Sequence, residues 1–281
     1  MTILDKIKEF NTGRDAQLLE RKYYRMTEGT FRFYRATSHL FYDDLKTYFN
    51  TTDTTKVWGC GDLHLQNFGS YKASNRLVYF DINDFDDAQL MPATWELARM
   101  VVSILLAAEE LAFNQREARN LATVFLKAYT NTLAEGKPVA IERRTVTGIL
   151  QKFLEDLENR KRKQFLKTRT REHSKQLQLL ADNEKVIAMD SSQKRVIEKW
   201  LEAWVASHPN PFFERILDIG VRVTGGASLG LERYVVLVES HKHKFYLLDL
   251  KEARPSTLVD INPVVQPAWP SEAQRIVISL L

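Results

Sequence analysis

The sequence predicts an α+β fold, a mostly helical block followed by a small antiparallel sheet. Three observations predict it. From 94 to 210, apolar residues recur at spacings of three and four for long stretches, the period of helices with one buried face. From 212 to 252 the pattern changes to short β-type runs, IGVRV, RYVVLVE and KFYLLDL, broken by Gly-rich and His/Lys-rich turns. The chain has 281 residues, 44% hydrophobic and 27% charged, a composition that buries a large core and excludes disorder as the main state. At roughly 100–200 residues per domain, this length makes one large or two smaller domains. We place the boundary at His208-Pro209-Asn210-Pro211, a helix stop, which gives 1–210 as the helical domain and 211–281 as the sheet domain.

The elements follow in chain order. Residues 1–50 are aromatic-rich and helical in character. Within them RKYYRMTEGTFRFYR interleaves five aromatics with five cations. Phe31, Phe33 and Tyr34 are expected in the core, and Arg32 and Arg35 are candidate cations near a site. Lys56–Cys60 and Arg76–Ile82 are short apolar runs with turn formers between them. NFGSY, the turn Lys72-Ala73-Ser74-Asn75 and RLVYFDI read as a hairpin. Trp95, Leu97, Met100, Val101, Ile104 and Leu105 mark one helix face. Asn159 to Lys175 holds eight Lys/Arg in seventeen residues, either a surface for nucleic acid or acidic substrate or simply a solvated helix or loop. No nucleic-acid-binding motif accompanies it. Ser271, after Pro270, is a candidate N-cap for a last helix. That helix runs to Leu280-Leu281 with no cap, which suggests a C-terminally incomplete chain.

The formal charge is +4, and Cys60 is the single cysteine, so an intramolecular disulfide framework and a cysteine-rich metal site are excluded. The most apolar run, Met100 to Ala108, is about half the ~20 residues of a spanning helix, and MTILDKIKEF has no signal-peptide core. The expectation is a cytoplasmic protein with no membrane partner.

Two constellations carry chemistry. The first is Cys60-Gly61-Asp62-Leu63-His64-Leu65-Gln66-Asn67 with Asp81-Ile82-Asn83-Asp84-Phe85-Asp86-Asp87. Asn67 opens the first hairpin strand and Asp84 follows the second, so an antiparallel pair gathers Asp62, Asn67 and Asp84 at one mouth. Oxygen donors of this kind suit Mg²⁺, and a further carboxylate accepts a proton from a hydroxyl nucleophile. These are the parts of a phosphoryl-transfer site. His64 is expected to order the loop, and Asp86 and Asp87 to be solvated or to cap the helix near Trp95. The second constellation is Thr224-Gly225-Gly226-Ala227-Ser228-Leu229-Gly230 between two strands, with Lys251 ending the strand after next. Such glycines let backbone N–H groups approach a phosphate. Antiparallel pairing puts Lys251 beside the end of that loop.

Gly61-Asp62-Leu63-His64-x-x-Asn67 resembles the catalytic loop of aminoglycoside-phosphotransferase-like members of the protein-kinase-like superfamily. Asn83-Asp84-Phe85-Asp86-Asp87-Ala88, followed by Pro92-Ala93-Thr94-Trp95-Glu96-Leu97-Ala98-Arg99, is similar to that group's metal-binding Asp and the helix after it. More closely, the whole chain resembles an uncharacterised bacterial family, domain of unknown function 2252. The match includes Arg25-Met26, Phe31-x-Phe33-Tyr34-Arg35, CGDLHLQNFG, DINDFDD, Gly225–Gly230 and Leu250-Lys251-Glu252-Ala253-x-Pro255-Ser256. The kinase-like resemblance implies a two-lobed architecture with Asp62 as catalytic base and Asn67 and Asp84 holding Mg²⁺. It implies that Gly225, Gly226, Ser228 and Gly230 cover the phosphates of ATP and that Lys251 binds the α/β-phosphates. The glycine loop and Lys here follow the catalytic loop instead of preceding it, so the fold would be a circular permutant. Cys60 stands where kinases often have His, and Glu272 is the candidate partner for the Lys. The implied function is a Mg²⁺/ATP-dependent phosphotransferase acting on a small molecule or protein. The alternatives are a non-catalytic nucleotide-binding module and a metallophosphoesterase. The latter needs further His and Asp ligands that the sequence does not show.

Overall fold

A computed structural model describes residues 1–49, 54–174, 176–208 and 213–279. The expected stop at Pro209-Asn210-Pro211, the last basic residue of the charged run, Lys175, and the terminal Leu280-Leu281 lie outside them. The fold is α+β, with ten α-helices and small antiparallel sheets among the described residues. Among them no helix is long and apolar enough to cross a membrane. The chain divides into two compact units. The first takes in Met1–Gly13, Glu20–Asn159 and Ala253–Leu281, the second Arg14–Leu19 and Arg160–Glu252. The cuts fall near 160 and 252, and the C-terminal segment is counted with the first unit.

The first unit begins with α1 (Ile3–Phe10), α2 (Ala16–Met26, its first residues to Leu19 counted with the second unit), α3 (Thr30–Ala36) and α4 (Ser38–Tyr48). Thr2 and Asp5 form a reciprocal cap on α1. β1 (Lys56–Gly59) pairs antiparallel with β4 (Gln89–Pro92), and β2 (Phe68–Lys72) with β3 (Val78–Ile82). The β2–β3 connection runs through Arg76, whose φ is 71°, to Leu77, so it is longer than the four-residue turn expected. Three helices follow: α5 (Ala93–Glu110), α6 (Gln115–Glu135) and α7 (Gly148–Asn159). The α6 helix starts on an Asn114/Glu117 capping box and stops on left-handed Gly136.

The buried face of α5 differs from the apolar stripe expected. Trp95, Met100 and Ile104 are buried as expected, but so are Arg99 and Ser103, while Leu105 is exposed. One core cluster joins Tyr42, Leu45, Met91, Trp95 and Leu258; another joins Cys60, Leu63, Met100, Ile104 and Ala122. Phe31 and Tyr34 are core residues, whereas Phe33 is exposed.

The second unit contains α8 (Arg162–Lys167), β5 (Thr170–His173), β6 (Gln176–Leu179), β7 (Val186–Ala188), α9 (Ser191–Ser207), β8 (Arg215–Arg222), β9 (Arg233–Glu239) and β10 (Phe245–Lys251). The continuous helical reading of 94–210 is therefore corrected by three short strands, Thr170–His173, Gln176–Leu179 and Val186–Ala188. Leu177 and Leu179 alternate with polar residues, and Asn183 turns with φ 58°. The basic run is a short helix followed by a strand, with Arg160, Lys161, Lys163, Lys167 and Arg171 exposed. β7, β8, β9 and β10 form one antiparallel sheet in the order β10-β9-β8-β7. Ile219, Val236 and Val238 pack on Ile197 and Leu201 of α9, and on the other face Val235 and Leu237 pack on Leu179 of β6. Returning to the first unit, α10 (Glu272–Ile278) starts on Ser271, whose hydroxyl accepts the Gln274 N–H as the cap requires.

Candidate functional site

Within the first unit, the β2–β3 hairpin brings Asp62, Asn67 and Asp84 together, and the Asn67 side chain is the reason. Asn67 ends a 3₁₀ turn (Leu65–Asn67) and is 3% exposed. Its Oδ1 accepts the Asp84 N–H at 2.8 Å. Its Nδ2 donates to the backbone carbonyls of Asp62 and Asp84, each at 3.1 Å. The backbone adds a bond from Asn83 N–H to Asn67 O at 2.9 Å. One buried amide thus ties both carboxylate-bearing loops, saturating three backbone groups that have no strand partner. The Asp84 side chain stays on the exposed side of the mouth, where its Oδ1 accepts the Asp86 N–H at 3.3 Å.

Asp62 is held from the opposite side by α5. Arg99 donates to Asp62 Oδ1 through Nε at 2.7 Å and through Nη2. Arg99 is fully buried, its guanidinium 4.4 Å from the Tyr34 ring centre, 5.1 Å from Phe41 and 5.7 Å from Tyr42. Burial opposes its charge, but Asp62 and the two tyrosines outweigh burial and hold its pKa above the ordinary value. One turn earlier on the same helix, Glu96 accepts the Cys60 N–H at 2.7 Å. Burial pushes the Glu96 carboxyl up. The Tyr42 hydroxyl donates to Gly61 O at 2.8 Å. Gly61 has φ +77°, and a Cβ there would lie 2.2 Å from Asp87 O, so only glycine fits the turn that aims Asp62.

His64 orders this loop. Its Nε2 accepts from Arg35 Nε at 3.1 Å and lies 3.8 Å from Asp62 Oδ2. Burial first, then the charges of Arg35 and Arg99, lower its pKa to about 3, so the ring is neutral at ordinary pH. With Nε2 accepting, the proton sits on Nδ1, which is buried with no hydrogen-bond partner among the described residues. Arg35 also donates to Gln66. Of the two candidate cations, then, Arg35 reaches the loop, while Arg32 pairs with Glu28 on the surface.

The acidic run after β3 is clamped by the C-terminal segment. Asp87 neither caps α5 nor faces water as expected: its Oδ1 accepts the Thr257 N–H and hydroxyl, both at 2.6 Å. Pro92 precedes α5 instead, with no side-chain cap. Burial raises the Asp87 pKa, with the Asp62 charge adding to it. Ser256 donates to Asp87 O at 2.9 Å. Arg275, 3% exposed, donates to Ala88 O at 2.5 Å, Asp86 O at 2.7 Å and Arg254 O at 3.0 Å. Glu272, the expected partner of the Lys, accepts from Arg275 Nε at 2.6 Å.

In the second unit, Gly225 and Gly230 bound the glycine loop with φ of +78° and +88°, and Gly226 and Ser228 lie between them. Arg14 Nη1 donates to Ala227 O at 2.5 Å and Leu229 O at 2.9 Å, and Asp15 N–H to Gly230 O at 2.9 Å. Lys251 pairs in register with Arg233, the first residue of β9 after the loop. The expected placing of the lysine beside the loop's end is the one the strands adopt.

Sequence reading passed over Glu96, Arg99 and Tyr42 as holders of the loop. The available signal was a Glu and an Arg three residues apart inside an apolar helix stripe. Among the described residues no three His, Cys, Asp or Glu side chains form a metal-binding group.

A family model described as an uncharacterized protein conserved in bacteria (DUF2252) matches residues 14–280, and the chain belongs to that family. No curated protein and no solved structure matches it.

Proposed function

We propose that this protein is a Mg²⁺- and ATP-dependent phosphotransferase, a circularly permuted relative of the protein-kinase-like enzymes. The observation that carries the reading is the Asn67 amide, which binds the backbone of both Asp62 and Asp84 and sets two carboxylates at one hairpin mouth. Chemistry that needs one carboxylate on a metal and another on a hydroxyl requires this arrangement.

The donor set fits the proposed ion. Asp84 and the second lone pair of Asn67 Oδ1 supply hard oxygen donors, which suit Mg²⁺. When bound, Mg²⁺ with ATP supplies the activated phosphoryl group and neutralises its charge. The protein's own groups do the rest. Arg99 fixes Asp62 by Oδ1, which leaves Oδ2 as the oxygen that takes the acceptor's hydroxyl proton. The caged guanidinium keeps that carboxylate from rotating, and the bond from Glu96 to Cys60 N–H keeps the loop from moving. In this reading Gly225, Gly226, Ser228 and Gly230 lie over the phosphates and Lys251 binds them.

The test is thermal unfolding of the full chain and of Asp84→Ala, with and without Mg²⁺-ATP. Ligand at 100 times its dissociation constant stabilises by about 2.7 kcal/mol. The expected result is a Mg²⁺-dependent upward shift that Asp84→Ala abolishes, followed by acceptor-dependent release of ADP. Release of pyrophosphate instead would mark adenylyl transfer. The absence of any nucleotide-dependent shift would overturn the reading.

A further inference from the structure

The strand face beside the glycine loop carries more positive charge than one phosphate-binding lysine supplies. Side chains paired across antiparallel strands share a face, and they alternate along each strand. Lys251 pairs with Arg233, Asp249 lies two residues before Lys251, and Arg222 follows Val221, which pairs with Tyr234. Arg222, Arg233, Asp249 and Lys251 therefore lie on one face of β8, β9 and β10, opposite the face packed on α9. Arg233 grips Asp249 with Nε at 2.9 Å and Nη2 at 2.6 Å, and Arg222 Nε lies 3.4 Å from the same carboxylate.

Arg169, just before β5, adds a third guanidinium. Burial lowers the Arg222 pKa, Asp249 opposes that, and the charges of Arg233 and Arg169 lower it further. Two guanidiniums thus share one carboxylate, Lys251 lies on the same face, and the Arg169 charge acts on Arg222. The nearby Glu252 carboxylate accepts the Glu232 N–H and belongs to the alternate face. The buried Nε of Arg169 has no hydrogen-bond acceptor among the described residues, and the buried Nε of Arg222 makes only the 3.4 Å ion-pair contact with Asp249, outside hydrogen-bond geometry. A buried donor without an acceptor is unfavourable, and an anion's oxygens would relieve it. Guanidinium forks match phosphate oxygens in pairs. Arg222 and Arg233 also flank the glycine loop in sequence, one before Gly225 and one after Gly230.

We propose that this face is a polyphosphate-binding site, in which Arg169, Arg222 and Arg233 contact the phosphates together with Lys251. If the phosphates are those of ATP, the inference rests on the phosphotransferase reading; as a site for polyphosphate chemistry it stands without it.

The experiment is calorimetric titration of the full chain with sodium tripolyphosphate, and separately with Mg²⁺-ATP, at fixed ionic strength. The variants are Arg169→Gln, Arg222→Gln and, as a control on the exposed surface of α8, Lys163→Gln. The expected result is tripolyphosphate binding that each arginine variant weakens at least tenfold and Lys163→Gln leaves unchanged. Among the described residues Arg169 has no ion pair to break, so Arg169→Gln decides the matter should Arg222→Gln melt early without ligand. Failure of tripolyphosphate to bind at millimolar concentration overturns the inference. So does equal weakening by Lys163→Gln, which would show general surface charge. Tripolyphosphate binding without Mg²⁺-ATP binding supports this site and removes the phosphotransferase reading. Mg²⁺-ATP binding that neither arginine variant affects does the reverse.

Discussion

Replacing Asn67 by Asp separates two roles that the residue can play. The substitution is nearly isosteric. It keeps an oxygen to accept the Asp84 N–H, but it removes the donor that reaches Asp62 O and Asp84 O at 3.1 Å. A carboxylate oxygen then faces two carbonyl oxygens in a position only 3% exposed. Two lost hydrogen bonds at about 1 kcal/mol each, with the cost of unsatisfied buried groups, come to about 2–4 kcal/mol. At roughly 2–4 °C per kcal/mol, the expected fall in Tm is on the order of 10 °C. The loss should shrink as pH falls. Burial and the facing carbonyls raise the introduced carboxyl's pKa in the folded state above its unfolded value, so the native state binds the extra proton and gains stability on acidification. The assay is chemical denaturation at pH 5 and pH 7, with Mn²⁺ binding followed by electron paramagnetic resonance. A residue acting only as metal ligand would bind the ion better as a carboxylate. If Asn67→Asp is as stable as wild type and binds Mn²⁺ more tightly, the tie between the two loops is not what Asn67 provides, and the reasoning fails.

Three further outcomes are expected. Arg99→Met leaves the partly buried Asp62 carboxylate without its partner and should cost about 3–5 kcal/mol by denaturant titration; a change under 1 kcal/mol would refute the ion pair as a structural tie. Gly61→Ala meets both positive φ and a carbonyl 2.2 Å away, so it should lower stability by at least about 2 kcal/mol and weaken Mn²⁺ binding. His64 has a folded pKa near 3, below its ordinary 6.5, so the native state binds fewer protons than the unfolded one. Stability should then fall as pH drops from 6.5 towards 3, by up to about 1.36 kcal/mol per unit from this residue, and His64→Asn should flatten that slope in denaturation at pH 7 and pH 5.

The hairpin, the three-strand meander and the Ser271 cap were legible in the sequence because each is local. Turn formers, period-two alternation and a capping residue act over a few positions, and the register that seats Lys251 beside Arg233 follows from them. The strands at 170–188 were not legible. They are three or four residues long, and their leucines at 177, 179 and 180 satisfy a helical spacing nearly as well. Leu179 finds its partners in Val235 and Leu237, more than fifty positions away, and those contacts decide its conformation.

For the candidate site the division is the same. Sequence by itself determined the class of the fold, the meeting of Asp62, Asn67 and Asp84 at one mouth, and the oxygen-donor chemistry they offer. Tertiary structure decided what holds them there. Arg99 reads as an interruption of an apolar helix face until the loop carrying Asp62 packs against it. Asp87 reads as a solvated acid until Thr257, 170 residues further on, donates to it. A buried charge is tolerated only beside a partner, and nothing in the local chain says where that partner will come from.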